Sequence, residues 1–220
     1  MNEGPVLAVD ASGPRPTVAL LGPDAEEWGC WTQVAGRRGT AQLAVETGRL
    51  LEARSLAVAD LAGLAVGIGP GSYTGLRAAI AFVRGLAHPA GLPLAGIESF
   101  AAAARGVLRT QPDVREVAVL LDARRDECYR ADYRRAQDGS GDPEPTSPPR
   151  LVPAVEAEAL VTDPASGIFV VREPDPEGYD VAALGRRRLM AGGDDPATVL
   201  PLYLKRSHAE IALEERQRRR

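Results

Sequence analysis

Lysine is nearly absent from this chain, histidine and cysteine are scarce, and aromatic residues make up only 5% of its 220 positions. Each shortage excludes something. His88 and His208 are the only histidines, too few for a multi-histidine metal centre, so no resident metal is expected. Cys30 and Cys128 lie far apart in no metal-type spacing and read as reduced thiols, not as a disulfide framework. No Ser/His/Asp or Cys/His constellation has a plausible context, so a peptidase reading lacks a nucleophile–base pair. No apolar run approaches the ~20 residues of a membrane helix. Met1-Asn2-Glu3 begins no basic-then-hydrophobic leader. The expectation is a cytoplasmic protein without a membrane anchor.

What is present is ordinary for a globular chain: 45% hydrophobic and 25% charged residues, with 26 basic against 30 acidic side chains and a net charge of −4. The basic residues are arginines except Lys205. A mildly acidic chain is not a stand-alone nucleic-acid binder, but it can sit in a complex that handles RNA.

Hydrophobic patterning opens with three short strands at Pro5–Asp10, Pro16–Leu21 and Glu27–Val34, joined by turn chemistry such as Ala11-Ser12-Gly13-Pro14. Thr40–Arg54 then takes a helical period, with Leu43, Thr47, Leu50 and Leu51 on one face. Leu61–Ile68 is a continuous apolar run, as expected of a buried parallel strand. A helix over Ser72–Ala87, a strand over Pro93–Ile97 and a helix over Ser99–Leu108 follow. The order β-β-β-α-β-α-β-α is that of an RNase H-like α/β unit, an analogy at the level of fold. A second unit starts at Glu116 with a hairpin of Glu116–Asp122 and Glu127–Tyr133. Gln137–Arg150 reads as a Pro/Gly/Ser-rich loop. A helix over Ala154–Val161, a strand over Gly167–Val171 and a helix over Val181–Ala191 end the pattern. The predicted division is a first lobe over residues 1–98 and a smaller second lobe over 99–220 carrying a Pro-rich insertion at 137–150. The arginine-rich end Arg216–Arg220 is expected to fray.

The segment Gly67–Arg77 (GIGPGSYTGLR) leaves a buried strand and enters a helix. Gly69 and Gly71 permit a sharp turn, Ser72 is a natural N-cap, and Thr74 and Arg77 follow in the first turns. Such a start can hold a phosphate, or simply build the turn and its cap. It is not a Walker loop, because no lysine follows the glycines. Asp10, Ser12 and Gly13 form a strand end and turn where sugar-kinase-type folds place an acid near a metal–nucleotide complex; capping of its own turn is the commoner role. The candidate nucleotide or phosphate residues are thus Asp10, Ser12, Gly13, Gly69, Gly71, Ser72, Thr74 and Arg77.

The two front helices lack polar backs. On Ser72–Ala87, Leu76, Ile80, Val83 and Ala87 make the core stripe, while Ala78, Ala81, Phe82 and Gly85 lie opposite, with Arg77 and Arg84 on one edge. On Thr40–Arg54, Ala41, Ala44, Val45 and Gly48 face away from the leucine stripe. Small outward residues let a partner helix approach closely. The alternative is burial against each other or under the second lobe.

Three segments resemble one family. Leu7–Leu20 (LAVDASGPRPTVAL), Gly69–Ser99 (GPGSYTGLRAAIAFVRGLAHPAGLPLAGIES) and Leu121–Tyr129 (LDARRDECY) are similar to the bacterial tRNA threonylcarbamoyladenosine biosynthesis protein TsaB (YeaZ) family, with Pro201–Arg206 (PLYLKR) a weaker fourth. The resemblance implies tandem RNase H-like halves of the actin/sugar-kinase-like (ASKHA) fold, the second half reduced. It implies a non-catalytic scaffold that dimerises through its first two helices with a TsaD-like catalytic subunit, joined by a TsaE-like ATPase and meeting tRNA only through the complex. No cofactor is expected in the lone chain, with ATP or ADP at the complex interface a possibility. A homodimer of the free chain would use the same helices. In the family TsaD holds its metal through histidines of its first helix; here Thr40–Arg54 has none, and Gly39-Thr40 stands where many relatives carry His. The rival expectation is an ATP-dependent kinase-like enzyme of the same fold, using Asp10 for magnesium.

Overall fold

The computed structural model describes residues 4–34 and 40–205. Gly39, His208 and Arg216–Arg220 lie outside the described residues. The first half builds a five-stranded sheet from β1 (Val6–Asp10), β2 (Thr17–Leu21), β3 (Glu27–Thr32), β4 (Gly63–Gly69) and β5 (Leu94–Glu98), ordered β3-β2-β1-β4-β5. The first three strands are antiparallel neighbours, and β4 and β5 join in parallel. The helices α1 (Gln42–Glu52), α2 (Tyr73–Ala90) and α3 (Ser99–Thr110) accompany it. Every residue of β1 and β2 is buried, because both faces of the sheet are covered. Leu7, Val9, Val18, Leu20, Leu64 and Val66 fill the outer face under α1 and α2. Val6, Ala8, Ala65, Ala95 and Ile97 fill the inner face.

The second half repeats the pattern with β6 (Glu116–Asp122), β7 (Glu127–Arg135), β8 (Pro143–Pro153), α4 (Ala154–Thr162), β9 (Ile168–Arg172) and α5 (Gly178–Met190), in the order β8-β7-β6-β9. That order matches β3-β2-β1-β4 of the first half; a counterpart of β5 is missing among the described residues. The chain is therefore a tandem of RNase H-like halves of the actin/sugar-kinase-like type, with the second half reduced.

Two expectations need correction. The segment predicted as the loop 137–150 is a strand from Pro143 onward, paired antiparallel to β7 from Arg135↔Pro143 to Glu127↔Pro153 with register shifts around Asp132. Proline is tolerated there because β8 is an edge strand, where one row of backbone groups needs no partner, and the prolines protect that edge from further pairing. Only the turn before it is a loop. Second, residues 99–220 do not stay on the second sheet. Val181 and Ala182 of α5 join the inner face of the first sheet, while Phe100, Ala104 and Leu108 of α3 lie on the second sheet with Val117, Val119 and Ala131. The close seat of α5 follows from small residues on both sides. A Cβ on Gly185 would stand 2.3 Å from the Ala65 Cβ, and one on Gly178 would stand 2.8 Å from the Ala19 Cβ.

The layers are thus α1 and α2, first sheet, α5 and α3, second sheet, α4. Residues 194–205 form a strap across one side. Asp194 accepts hydrogen bonds from Gly96 N at 2.8 Å and from Arg188 Nε at 2.7 Å, and the arginine holds its carboxyl below the usual range. Leu202 N donates to Ile68 O at 2.7 Å, and Lys205 Nζ reaches Ala123 O at 3.2 Å and Glu127 Oε2 at 2.6 Å in the second half. No helix among the described residues is long and apolar enough to cross a membrane.

Candidate functional site: the backs of the front helices and the Asp10 turn

Helices α1 and α2 cover the outer face of the first sheet, so their backs point away from the second half. On α1, Leu43, Glu46, Thr47 and Leu51 are buried, whereas Ala41, Ala44, Val45 and Gly48 are exposed. On α2, Leu76, Ala79, Ile80, Val83 and Ala87 are buried, and Ala81 and Gly85 are exposed. A Cβ on Gly48 or Gly85 would meet nothing within 4 Å. Ala78 is half-buried. Phe82, predicted on the outer face, is instead half-buried against the outer core, since its long side chain reaches round the helix to the sheet. The second sheet and its helices lie on the other side of the first sheet; only the strap borders α2, with Val199 in the outer core and Leu200, Pro201 and Tyr203 beside Ile80 and Ala81, and it leaves Gly48 and Gly85 open.

The Asp10 turn is built differently. The Asp10 carboxyl is buried. Its Oδ1 accepts from Ser12 N at 2.7 Å and Ser12 Oγ at 2.6 Å, and its Oδ2 accepts from Ser99 Oγ at 2.7 Å. Ser99 Oγ in turn accepts from Gly69 N at 3.1 Å. Burial raises the Asp10 pKa; the bonds from Ser12 and Ser99 oppose that shift, and the Asp175 carboxylate adds to it. The surroundings leave no slack. A Cβ on Gly67 would fall 1.7 Å from Asp10 Oδ2, one on Gly71 would fall 2.5 Å from Ser12 O, and one on Gly75 would fall 2.1 Å from Ala11 O. Gly69, at φ 99°, needs the freedom of glycine to turn from β4 into α2. Ser72 caps α2 by accepting from Gly75 N at 3.2 Å, and its own N–H donates to Ser12 O at 2.8 Å. Gly13 abuts Pro174 and Asp175 of the loop before α5, and Arg15 pairs with Asp175.

The structure therefore brings Asp10, Ser12, Gly69, Gly71 and Ser72 together, with Gly13 at their edge. Thr74 is exposed on the first turn of α2. Arg77 belongs elsewhere: its guanidinium lies 4.8 Å from the Tyr73 ring centroid and donates to the Tyr73 hydroxyl at 2.6 Å. Sequence reasoning missed Gly67 and Ser99, the residues that admit and satisfy the Asp10 carboxyl. It also left Glu98 aside. Glu98 ends β5 between the sheets, accepts from the Tyr133 hydroxyl, and is pushed up to about 7 by burial. No cluster of three or more metal-ligating side chains exists among the described residues.

Comparison with known proteins agrees with this architecture. The family described as "TsaD: tRNA N6-adenosine threonylcarbamoyltransferase" matches residues 25–146. An uncharacterised protein of Mycobacterium tuberculosis is 30% identical over 213 residues, 93% of each chain. The TsaB protein of tRNA threonylcarbamoyladenosine biosynthesis from Escherichia coli is 32% identical over 61% of this chain and 57% of its own. The chain belongs to the TsaB/YeaZ family. The YeaZ structure from Pseudomonas aeruginosa superimposes with a TM-score of 0.79 at 25% identity, over 91% of this chain and all of that one. The family match over residues 25–146 includes both front helices, the Asp10-facing loop Gly67–Ser72 and the β6–β7 hairpin, while Asp10, Ser12 and Gly13 lie before it. The family places the chain in tRNA threonylcarbamoyladenosine biosynthesis.

Proposed function

We propose that the chain is a non-catalytic scaffold of the complex that modifies the anticodon-adjacent adenosine of tRNA, docking a TsaD-type catalytic subunit on the backs of α1 and α2. One observation carries the reading: small residues on the backs of α1 and α2 stay open, with nothing within 4 Å of a Cβ on Gly48 or Gly85. Small residues let helix axes approach to ~8 Å, and a specific interface needs about 800 Å² from each partner. A TsaE-type ATPase and tRNA would join through the assembled complex, in the cytoplasm, with ATP or ADP held at the junction. The free chain would form a homodimer on the same surface.

The non-catalytic assignment is favoured by the Asp10 turn. Both carboxyl oxygens are engaged by Ser12 and Ser99, which leaves little for magnesium in a kinase-like enzyme. Calorimetry of the lone chain with Mg-ATP checks that alternative, whose support would be binding lost on Asp10→Ala.

The docking reading is tested by sedimentation of the chain with the TsaD-type protein of the same organism. A one-to-one complex is expected, lost on Gly48→Arg or Gly85→Arg while the thermal unfolding of each variant stays near that of the wild type. A complex that survives both substitutions would sink the assignment.

A further inference from the structure

Beside the open backs of the front helices lies a groove of about 590 Å³ between α2 and the strap. Its walls are Ile80 and Ala81 on one side and Leu200, Pro201 and Tyr203 on the other. Leu200 and Tyr203 are large apolar side chains left exposed, and Tyr203 is stacked on exposed Tyr73 with ring centroids 5.4 Å apart. Arg77 and Arg84 also line the groove, and no carboxylate does. All of α2 is free of Asp and Glu. Arg77 is engaged by the Tyr73 ring and hydroxyl. Neither arginine has an ion-pair partner among the described residues, although most other arginines of the fold are paired with acids.

An apolar trough flanked by two uncompensated cations selects its occupant by charge. Arg77 and Arg84 stand two helical turns apart, about 10 Å along the axis. An apolar segment alone would desolvate them without repayment. A phosphate chain would satisfy the arginines but leave the apolar walls wet. We infer that the groove seats an acidic amphipathic helix of the catalytic partner subunit, its apolar ridge on Ile80, Ala81 and Leu200 and two carboxylates about two turns apart on Arg77 and Arg84. This deepens the docking reading above and rests on it: the groove extends the small-residue face sideways and adds the polar contacts that set register and partner choice.

The test is the affinity of the full chain for the TsaD-type subunit, measured by surface plasmon resonance across a salt series. Arg77→Glu/Arg84→Glu should weaken binding at least tenfold, through slower association and faster dissociation, and flatten the salt dependence. Arg77→Gln/Arg84→Gln, which keeps the bulk, should give a smaller loss with the same flattening. Absence of any wild-type complex would overturn the docking reading itself. Wild-type binding that is lost on Gly48→Arg yet unchanged, within twofold, in both arginine variants would overturn the groove assignment alone. So would two further outcomes. One is subunit affinity preserved in the variants while tRNA affinity of the assembled complex falls, which would make the groove an RNA surface. The other is tighter subunit binding when Glu210, Glu214 and Glu215 are changed to lysine, which would give the groove to this chain's own C-terminal segment.

Discussion

Ser99→Ala offers the sharpest check on the Asp10 turn. The hydroxyl joins two buried groups, donating to Asp10 Oδ2 at 2.7 Å and accepting from Gly69 N at 3.1 Å. Alanine fits the space, so nothing clashes and the cost is purely polar. A hydrogen bond to a charged group is worth about 1.5–3 kcal/mol, and a stranded buried N–H costs about 1–3 kcal/mol. Partial relaxation and water entry lower the sum, so a loss of about 3 kcal/mol is expected, a large share of the stability of an ordinary domain. For a chain of this length that is a fall of about 6–12 °C in Tm. Urea unfolding at pH 7 measures it directly. Asp10→Asn should remove part of the same network, so the double variant should lose clearly less than the sum of the singles. A loss under about 0.5 kcal/mol, or newly gained Mg-ATP affinity, would refute the reasoning: Asp10 would then be a ligand in waiting and not the keystone of a turn.

Glycine positions separate inner packing from outer docking. Gly48→Ala should stabilise the free chain by about 0.5–1 kcal/mol through helix propensity, whereas Gly185→Ala, whose Cβ falls 2.3 Å from that of Ala65, should cost about 1–3 kcal/mol by forcing α5 off the sheet; paired denaturant curves decide. Arg105→Met should cost about 3 kcal/mol in the same assay, because the fully buried Asp180 loses its 2.5 Å contact and is left to Arg109. By contrast Lys205→Met, breaking a more exposed pair with Glu127, should cost under about 1 kcal/mol. Glu98 titrates at about 7 in the fold against 4.5 when free, so the fold holds the extra proton. Its contribution is fully present below pH 4.5 and is lost as pH rises through 7, a swing of up to about 3 kcal/mol. Glu98→Gln should therefore gain stability over the wild type at pH 8 and gain none at pH 4.5.

Most of the first half was legible because its signals are local. Val6–Asp10 and Gly63–Gly69 are runs whose length and β-branched content suit covered strands, and Ser72 with the glycines before it marks a helix start. The core stripe of α2 follows its period, with Leu76, Ile80, Val83 and Ala87 all buried. What escaped depends on distant partners. Pro143–Pro153 looks like a loop until β7 is beside it, since proline in a strand is acceptable only at an edge. The partnership of Ser99 with Asp10 spans 89 positions, and no periodicity reports it. Gly67 sits inside an apolar strand and reads as one more small residue, yet its missing side chain is what admits the Asp10 carboxyl. Phe82 follows the wheel in direction but not in reach.

The small residues of this chain carry two opposite meanings, and only the space around them tells which applies. Gly178 and Gly185 are small because Ala19 and Ala65 stand against them. Gly67, Gly71 and Gly75 are small because the Asp10 turn is pressed into the start of α2. In each case another part of the same chain already occupies the space a side chain would need, a side chain at Gly67, Gly178 and Gly185 and a backbone carbonyl at Gly71 and Gly75. Gly48 and Gly85 belong to the same residue class on helices of the same layer, yet nothing of the described chain approaches them. Helical glycine costs stability relative to alanine, so its presence on an open back has no internal compensation. That open space is what the proposed docking of a partner subunit would fill, and the arginines of α2, without acids of their own among the described residues, are why the proposed partner is an acidic one.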